Sequence, residues 1–314
     1  SLAGLYSTKD KMEDAFQGLD QQSLFEPVTK KTITLKNSKN IPNAISDGFN
    51  VAMSPRRGPV CINLPRNLLA EKNNYKINEK IKSFKNTNNT QSKLDSIKRA
   101  TKLISKSSKG IIIVGGGIKY TSGFKPVIEL AEYLNVPIVT AAGHGDAIPF
   151  NHKLNAGQMG PRGNPVATKL TKEADVIIAI GTRLGFNSTF LSYEYINKKA
   201  KIIQIELEKK MLGRYFPIQI GINADAETSA NQILNELKKQ KIKLEVKNWT
   251  KQFLKDRSDF LLNRDKIKYK NYPIQPFGLF KELRKVLPKN SAITLDAGTL
   301  CLQATDALEY YNPP

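Results

Sequence analysis

The chain has 314 residues, 40% apolar and 25% charged, a balance that excludes wholesale disorder, collagen and coiled coil and leaves apolar mass for two globular units, or one plus pieces of neighbours. The formal net charge of +21 raises polyanions as partners, yet 39 of the 49 basic residues are Lys spread along the whole chain, which reads first as solvated surface. Cys61 and Cys301 stand far apart, without zinc-ligand spacing or a disulfide framework, and no apolar run reaches bilayer length, so a soluble cytoplasmic protein with no membrane partner is expected.

Along the chain, Pro42 suits a first helical turn, and Ile45, Phe49, Ala52 and Met53 recur at helical spacing. Gly58-Pro59 breaks the chain, and Val60-Cys61-Ile62-Asn63-Leu64 reads as a buried strand closed by Pro65. Residues 70–92, rich in Lys, Asn, Ser and Thr, read as a linker.

From about 93 the pattern becomes regular. Leu94, Ile97, Ala100 and Ile104 mark a helix; Gly110-Ile111-Ile112-Ile113-Val114 marks a strand that runs into Gly115-Gly116-Gly117; Phe124, Val127, Ile128, Ala131 and Leu134 mark the next helix. Strands are expected at 136–140, 175–181, 201–205 and 217–220, and a helix at about 165–172. A further helix carries Ala226, Ala230, Ile233, Leu234 and Leu237 on one face, with Asp225 as its N-cap. β-Branched strands alternating with helices predict a doubly wound parallel sheet at 93–237. Residues 238–273, basic and weakly periodic, read as a second linker. A last pattern at 274–314 predicts a helix through Leu279, Leu283 and Val286, a strand at 292–295, and the turn Asp296-Ala297-Gly298-Thr299.

Ligands of parallel α/β sheets bind beyond the carboxyl ends of the strands. Those positions are glycine-rich here: Gly115 to Gly117, Gly143-His144-Gly145-Asp146, Gly157, Gly160 and Gly163, and Gly181-Thr182-Arg183-Leu184-Gly185, with Glu206 after the strand at 201–205. Either these glycines only make tight turns, or together with Arg183 they serve a nucleotide-sized ligand or its vestige. The run Gly115-Gly116-Gly117-Ile118-Lys119-Tyr120 lacks the third glycine of the dinucleotide fingerprint, which disfavours a standard NAD dehydrogenase. His144 and His152 lack the spacing of a helical metal pair and read as loop histidines with ordinary hydrogen bonds. No G-x-S-x-G serine and no Cys with a base partner is present, and no aromatic-interleaved basic patch suggests nucleic acid.

Five short motifs in order carry a resemblance: Ala15 to Gln21 (AFQGLDQ), Leu24 to Lys30 (LFEPVTK), Ile41-Pro42, Arg57-Gly58-Pro59-Val60, and Asn63-Leu64-Pro65-Arg66-Asn67. They resemble the C-terminal half of the pyrimidine-binding domain of thiamine-diphosphate enzymes of the acetolactate synthase group. The triple glycine, the run from Ala174 to Arg183, and Asp225-Ala226 look like that family's central domain, and Asp296-Ala297-Gly298 is similar to the start of its diphosphate-binding domain. The resemblance implies residues 1–69 as part of the pyrimidine domain, 93–237 as the central domain, and 274–314 as the start of the diphosphate domain: an α/β central domain flanked by two partial α/β domains.

In such enzymes the cofactor performs the hard step, adding a carbanion to a 2-keto acid carbonyl and storing electrons after decarboxylation, while the protein binds and orients. The activating glutamate is expected upstream of Ser1, and the Gly-Asp-Gly…Asn magnesium motif downstream of Pro314. The chain alone is therefore expected to be an inactive middle portion, with no catalytic residue and no metal ligand of its own. The resemblance puts Gln17 and Lys30 at the active-site rim, toward a keto-acid carboxylate, and Gly298 and Thr299 against the diphosphate. It also implies a non-redox FAD held by Gly115, Gly116, Gly117, Gly181, Arg183, Glu206 and Asp225, although Leu184-Gly185-Phe186-Asn187 lacks the family's acidic residues and second arginine.

The implied whole is a transferase of branched-chain amino acid biosynthesis that uses thiamine diphosphate and Mg2+. It would decarboxylate pyruvate, join the two-carbon unit to a second 2-keto acid, and act as a homodimer or homotetramer. Asp146-Ala147-Ile148-Pro149, residues 201–205 and Met211-Leu212-Gly213 look closer to the sulfoacetaldehyde acetyltransferase branch, which yields acetyl phosphate. A third alternative is a non-catalytic module that binds FAD or NAD.

Overall fold

The computed structural model describes residues 1–54, 57–75, 92–120, 124–267 and 272–313. Most of the linker expected at 70–92 thus lies outside the described residues. The chain divides into two compact units, Ser1–Asn88 and Asn89–Pro314.

The first unit contains β1 (Leu2–Leu5), α1 (Gln21–Phe25), β2 (Lys31–Thr34), α2 (Ile41–Met53), β3 (Val60–Pro65) and α3 (Arg66–Leu69). Its three strands are parallel in the order β1-β3-β2, with Ile62 opposite both Leu2 and Ile33. Pro42 sits in the first turn of α2, where its missing N–H costs nothing. Leu35, Ala44, Val60, Ile62 and Leu68 form a small core between α2 and the sheet.

The second unit contains α4 (Leu94–Ile104), β4 (Gly110–Val114), α5 (Phe124–Leu134), β5 (Ile138–Thr140), β6 (Asn155–Gln158), α6 (Pro165–Glu173), β7 (Val176–Ile180), α7 (Phe186–Thr189), β8 (Lys201–Ile205), β9 (Ile220–Ile222), α8 (Ala226–Lys239), α9 (Lys247–Asp265), α10 (Pro276–Val286) and α11 (Thr299–Ala307). All six strands are parallel in the order β6-β5-β4-β7-β8-β9. Counted within this sheet the order is 3-2-1-4-5-6, the doubly wound arrangement whose direction reverses between the first and fourth strands. Every residue of β4 and β7 is buried, as continuous Ile/Val runs require when helices cover both faces. Helices α4, α5 and α8 pack together, and α6 packs with α9. Asp225 caps α8 through Thr228 N (3.0 Å), and Ala226, Ala230, Ile233, Leu234 and Leu237 are buried.

Four segments depart from the expected pattern, the first being the strand expected at 217–220, which begins only at Ile220 and runs to Ile222. Residues 155–158, expected as loop, pair with β5 as the edge strand β6 across a register shift at Ile138/Val139; the strand Asn-Ala-Gly-Gln has no β-branched residue to betray it. The stretch 238–273, expected as a linker, contains the 19-residue helix α9. Its buried stripe is Thr250, Phe253 and Arg257, two of them polar, so helical spacing is present without an apolar signal. Residues 292–295, expected as a strand, form none, because among the described residues no strand lies beside them to complete a ladder. Among the described residues no helix is long and apolar enough to cross a membrane.

Candidate functional site

In the second unit, the carboxyl ends of β4 and β7 lie side by side, with Val114 opposite Ile180, and the turns that follow them meet backbone to backbone. Gly115 N donates to Ile180 O (3.1 Å) and Gly117 N to Gly181 O (3.0 Å). A Cβ on Gly117 would stand 2.6 Å from Gly181 Cα, and one on Gly115 2.5 Å from Gly181 O. Three of the predicted glycines are thus explained by close approach of two strand-end turns at the point where the sheet reverses direction.

The next loop closes one side of this cleft. A Cβ on Gly116 would meet His144 Cε1 at 2.7 Å, so the imidazole lies directly against the glycine turn. Lys119 and Asp146 form an ion pair beside it. Burial first, then the positive charge of Lys119, pushes His144 down from 6.5 to about 4, against a smaller opposing pull from Asp146. His144 is therefore neutral at neutral pH, and its Nδ1 is buried without a hydrogen-bond partner. The ordinary hydrogen bonding expected of it is instead found at His152, whose Nε2 lies 3.3 Å from Glu132 Oε1 and whose Nδ1 accepts from Leu154 N (3.3 Å).

In the turn after β7, Arg183 is exposed, lies near enough to His144 to help lower its pKa, and has no hydrogen-bond or ion-pair partner among the described residues. Thr182 and Gln204 are buried at the ends of β7 and β8: Gln204 Nε2 donates to Thr182 O (3.0 Å), and its Oε1 accepts from Gly213 N (2.8 Å). Glu206 is half-buried at the end of β8, its Oε1 accepting from Leu207 N (3.0 Å). Asp225 is buried and engaged in capping α8, which makes its role at the edge structural. The cleft therefore joins exposed backbone at Gly117, an unpartnered guanidinium and an orphaned buried imidazole nitrogen. That combination suits a polar ligand carrying an anionic group, such as a nucleotide.

A depressed histidine pKa has a thermodynamic consequence. Between pH 4 and 6.5 the unfolded chain takes up a proton at this position that the folded chain refuses, so unfolding free energy rises with pH across that window. The contribution is complete above pH 6.5 and is lost as pH falls toward 4. About 3 kcal/mol of stability should disappear over that range. Urea titrations of the chain and of His144→Gln check this: the variant should lose that part of the acid dependence.

The other predicted residues fall at separate places. In the first unit, Gln17 is exposed, adopts a left-handed φ of 58°, and lines a groove of about 700 Å³ with Asp10, Asp14, Phe16, Gln21 and Arg66. Lys30 is not among the residues lining it. Its Nζ donates to Val51 O (2.7 Å), Ser54 O (3.2 Å) and Ser54 Oγ (2.6 Å). These three bonds use all three ammonium protons at the carboxyl end of α2, where a cation is favoured. In the second unit, Gly298 and Thr299 open α11. No side chain caps this helix, no acid stands in its first turn, and a Cβ at Gly298 would meet nothing within 4 Å. Cys301 N donates back to Gly298 O (3.1 Å), while the Thr299 side chain is exposed beside the start of the helix, the end that favours an anionic group. Among the described residues no group of three or more His, Cys, Asp or Glu side chains is placed to hold a metal.

Residues 97–236 match the family model of the thiamine pyrophosphate enzyme central domain, the region that contains the sheet and the cleft. The chain is 30% identical over 310 residues to a probable acetolactate synthase large subunit of Methanocaldococcus jannaschii, covering 95% of this chain and 51% of the relative. It is 28% identical over 322 residues to the sulfoacetaldehyde acetyltransferase of Alcaligenes xylosoxydans xylosoxydans, covering 95% and 53%. It is 27% identical over 302 residues to the acetolactate synthase isozyme 3 large subunit of Escherichia coli (strain K12), covering 95% and 52%. The chain spans about half the length of these relatives. Residues 97–236 are identified as a thiamine pyrophosphate enzyme central domain, and similarity to enzymes named acetolactate synthase and sulfoacetaldehyde acetyltransferase extends along 95% of the chain.

Proposed function

We propose that the chain serves a thiamine-diphosphate- and Mg2+-dependent carboligase that decarboxylates pyruvate and joins the two-carbon unit to a second 2-keto acid. The observation that carries this reading is similarity to acetolactate synthase large subunits along 95% of the chain, not within the central domain alone. Thiamine diphosphate, when bound, supplies the nucleophilic carbon and the electron sink for 2-keto acid cleavage. The chain's own part is binding and orientation. The uncapped start of α11 and the Thr299 hydroxyl receive the diphosphate, and Gln17, exposed in the groove of the first unit, presents an amide to the keto-acid carboxylate. Lys30, with its ammonium spent on α2, holds the framework rather than the substrate. FAD in the cleft would place its anionic groups toward Arg183 and a hydrogen-bonding edge toward the Nδ1 of neutral His144. A homodimer or homotetramer in the cytoplasm completes the reading.

The alignment with a sulfoacetaldehyde acetyltransferase over an equal share of the chain supports a second reading, acetyl transfer to phosphate. Calorimetric titration of the complete enzyme with thiamine diphosphate and Mg2+ tests both, since no binding would refute each. Acetolactate from pyruvate without acetyl phosphate from sulfoacetaldehyde is the expected outcome; the reverse selects the second reading. An absorbance band of bound flavin in the purified enzyme is expected if the cleft holds FAD.

A further inference from the structure

Residues 291–298 run largely exposed with no strand pairing, so the location of Gly298 and Thr299 depends on how α11 is fastened. Toward α10 the fastening is apolar, through Ala304, Ala307 and Leu308 packed with Phe280; toward the central sheet it is polar and centres on two side chains. Asp306 Oδ1 accepts from Gln158 N (2.7 Å) and from Asn164 Nδ2 (2.9 Å). Gln158, with 0% of its surface exposed, donates through Nε2 to Leu302 O (2.9 Å) and accepts at Oε1 from Thr305 Oγ1 (2.6 Å). The same Oε1 also accepts from Gly143 N (2.9 Å), the residue that leads into His144 and the wall of the cleft.

Glycines make room for this junction. A Cβ on Gly145 would stand 1.6 Å from Thr305 O, and one on Gly157 2.7 Å from Asp306 Oδ1. Beyond the helix, Phe150 N donates to Tyr310 O (2.7 Å), and Arg264 Nη2 pairs with Glu309 (2.6 Å). Any side chain at 145 would push the helix away, so the loop is shaped to receive it. A nine-residue helix is marginal by itself, which leaves its order to these contacts.

We infer that Gln158 and Asp306 are positioning residues: they fix α11, and with it the Gly298–Thr299 turn, to the Gly143–Asp146 loop, so that one buried glutamine sets both the diphosphate turn and one wall of the nucleotide cleft. The link to the diphosphate rests on the proposed function, whereas the coupling of helix to loop does not.

Hydrogen exchange on the full chain tests the coupling. Asp306→Ala should accelerate exchange of amides 299–307 at least about tenfold, the effect of losing the two hydrogen bonds that Oδ1 accepts, and Asp306→Asn, which keeps the Oδ1 acceptor, should restore most of the protection. Gln158→Met should accelerate both Gly143 and 299–307 while β4 and β7 amides keep wild-type rates. Unchanged exchange in α11, or equal acceleration in β4 and β7, would overturn the inference. In the complete enzyme, Asp306→Ala should raise the KM for thiamine diphosphate by a larger factor than it lowers kcat, with Asp306→Asn intermediate. An unchanged KM alongside altered exchange would overturn the assignment of the turn's position to these residues. An enzyme that binds no thiamine diphosphate would instead refute the proposed function and leave the exchange result to decide the coupling.

Discussion

Phe253→Ala is expected to destabilise the second unit by about 3–5 kcal/mol, the usual range for emptying a core position of a phenyl ring, and to lower its melting temperature by roughly 10 °C. Phe253 lies on α9, in the middle of a segment whose composition suggests a linker, yet it is 1% exposed and belongs to the same core as the central strands. Its neighbours on the helix are engaged as well. Trp249 Nε1 donates to Gly110 O at the start of β4 (3.1 Å), and Thr250 Oγ1 donates to Asn135 O after α5 (2.5 Å). Truncating the ring would leave a cavity beneath α6 and loosen both anchors. Leu254, one residue on and 42% exposed, provides the contrast: Leu254→Ala should cost no more than about 1 kcal/mol. Calorimetric melting of the two variants checks the pair. A loss below about 1 kcal/mol for Phe253→Ala would mean that α9 lies on the surface of the unit without belonging to its core.

What could be read from residues alone follows physical lines. Strands β4, β7 and β8 are legible because Ile/Val runs buried on both faces have few alternatives, and α8 because five apolar positions and an N-cap aspartate act within one helix. Local chemistry announces itself locally. Helix α9 is hidden because its inward stripe mixes Thr250, Phe253 and Arg257, and β6 is hidden because an edge strand of Asn, Ala, Gly and Gln draws its order from its partner and from side-chain bonds. The expected strand at 292–295 fails for the opposite reason: strand-forming residues without an adjacent strand gain nothing from being extended.

The site divides in the same way. Gly115, Gly117 and Gly181 are conspicuous at strand ends, and the structure supplies the crowding that requires them. The engagement of Lys30 with Ser54, of Gln158 with Gly143 and Thr305, and of Gln204 with Thr182 and Gly213 joins residues 9 to 147 positions apart. Such pairings leave no periodic trace. His144 shows the limit most plainly, since composition marks it only as one of two histidines, whereas its burial against Gly116 and Lys119 makes it the cleft's acid-sensitive group.

Gly181→Val is expected to cost about 2–5 kcal/mol, from two effects that can be separated. Gly181 has φ +60°, where a side chain costs about 1–2 kcal/mol. A Cβ there would also stand 2.8 Å from Gly117 Cα and 3.1 Å from Ile118 N, backbone atoms that cannot swing aside as a flexible side chain would, and overpacking of this kind adds about 1–3 kcal/mol. The position has little freedom to relax, because Gly181 N donates to Ile205 O (2.9 Å) while its carbonyl accepts from Gly117 N (3.0 Å), tying the ends of β4, β7 and β8 together. Gly143 isolates the first effect: its φ is +81°, but a Cβ would meet nothing within 4 Å. Gly143→Ala should therefore cost only about 1 kcal/mol, the dihedral strain alone. Denaturant midpoints of the two variants measure the difference. Equal losses would show that the turns at β4 and β7 yield under load, and a cleft built on their rigidity would then lose its physical basis.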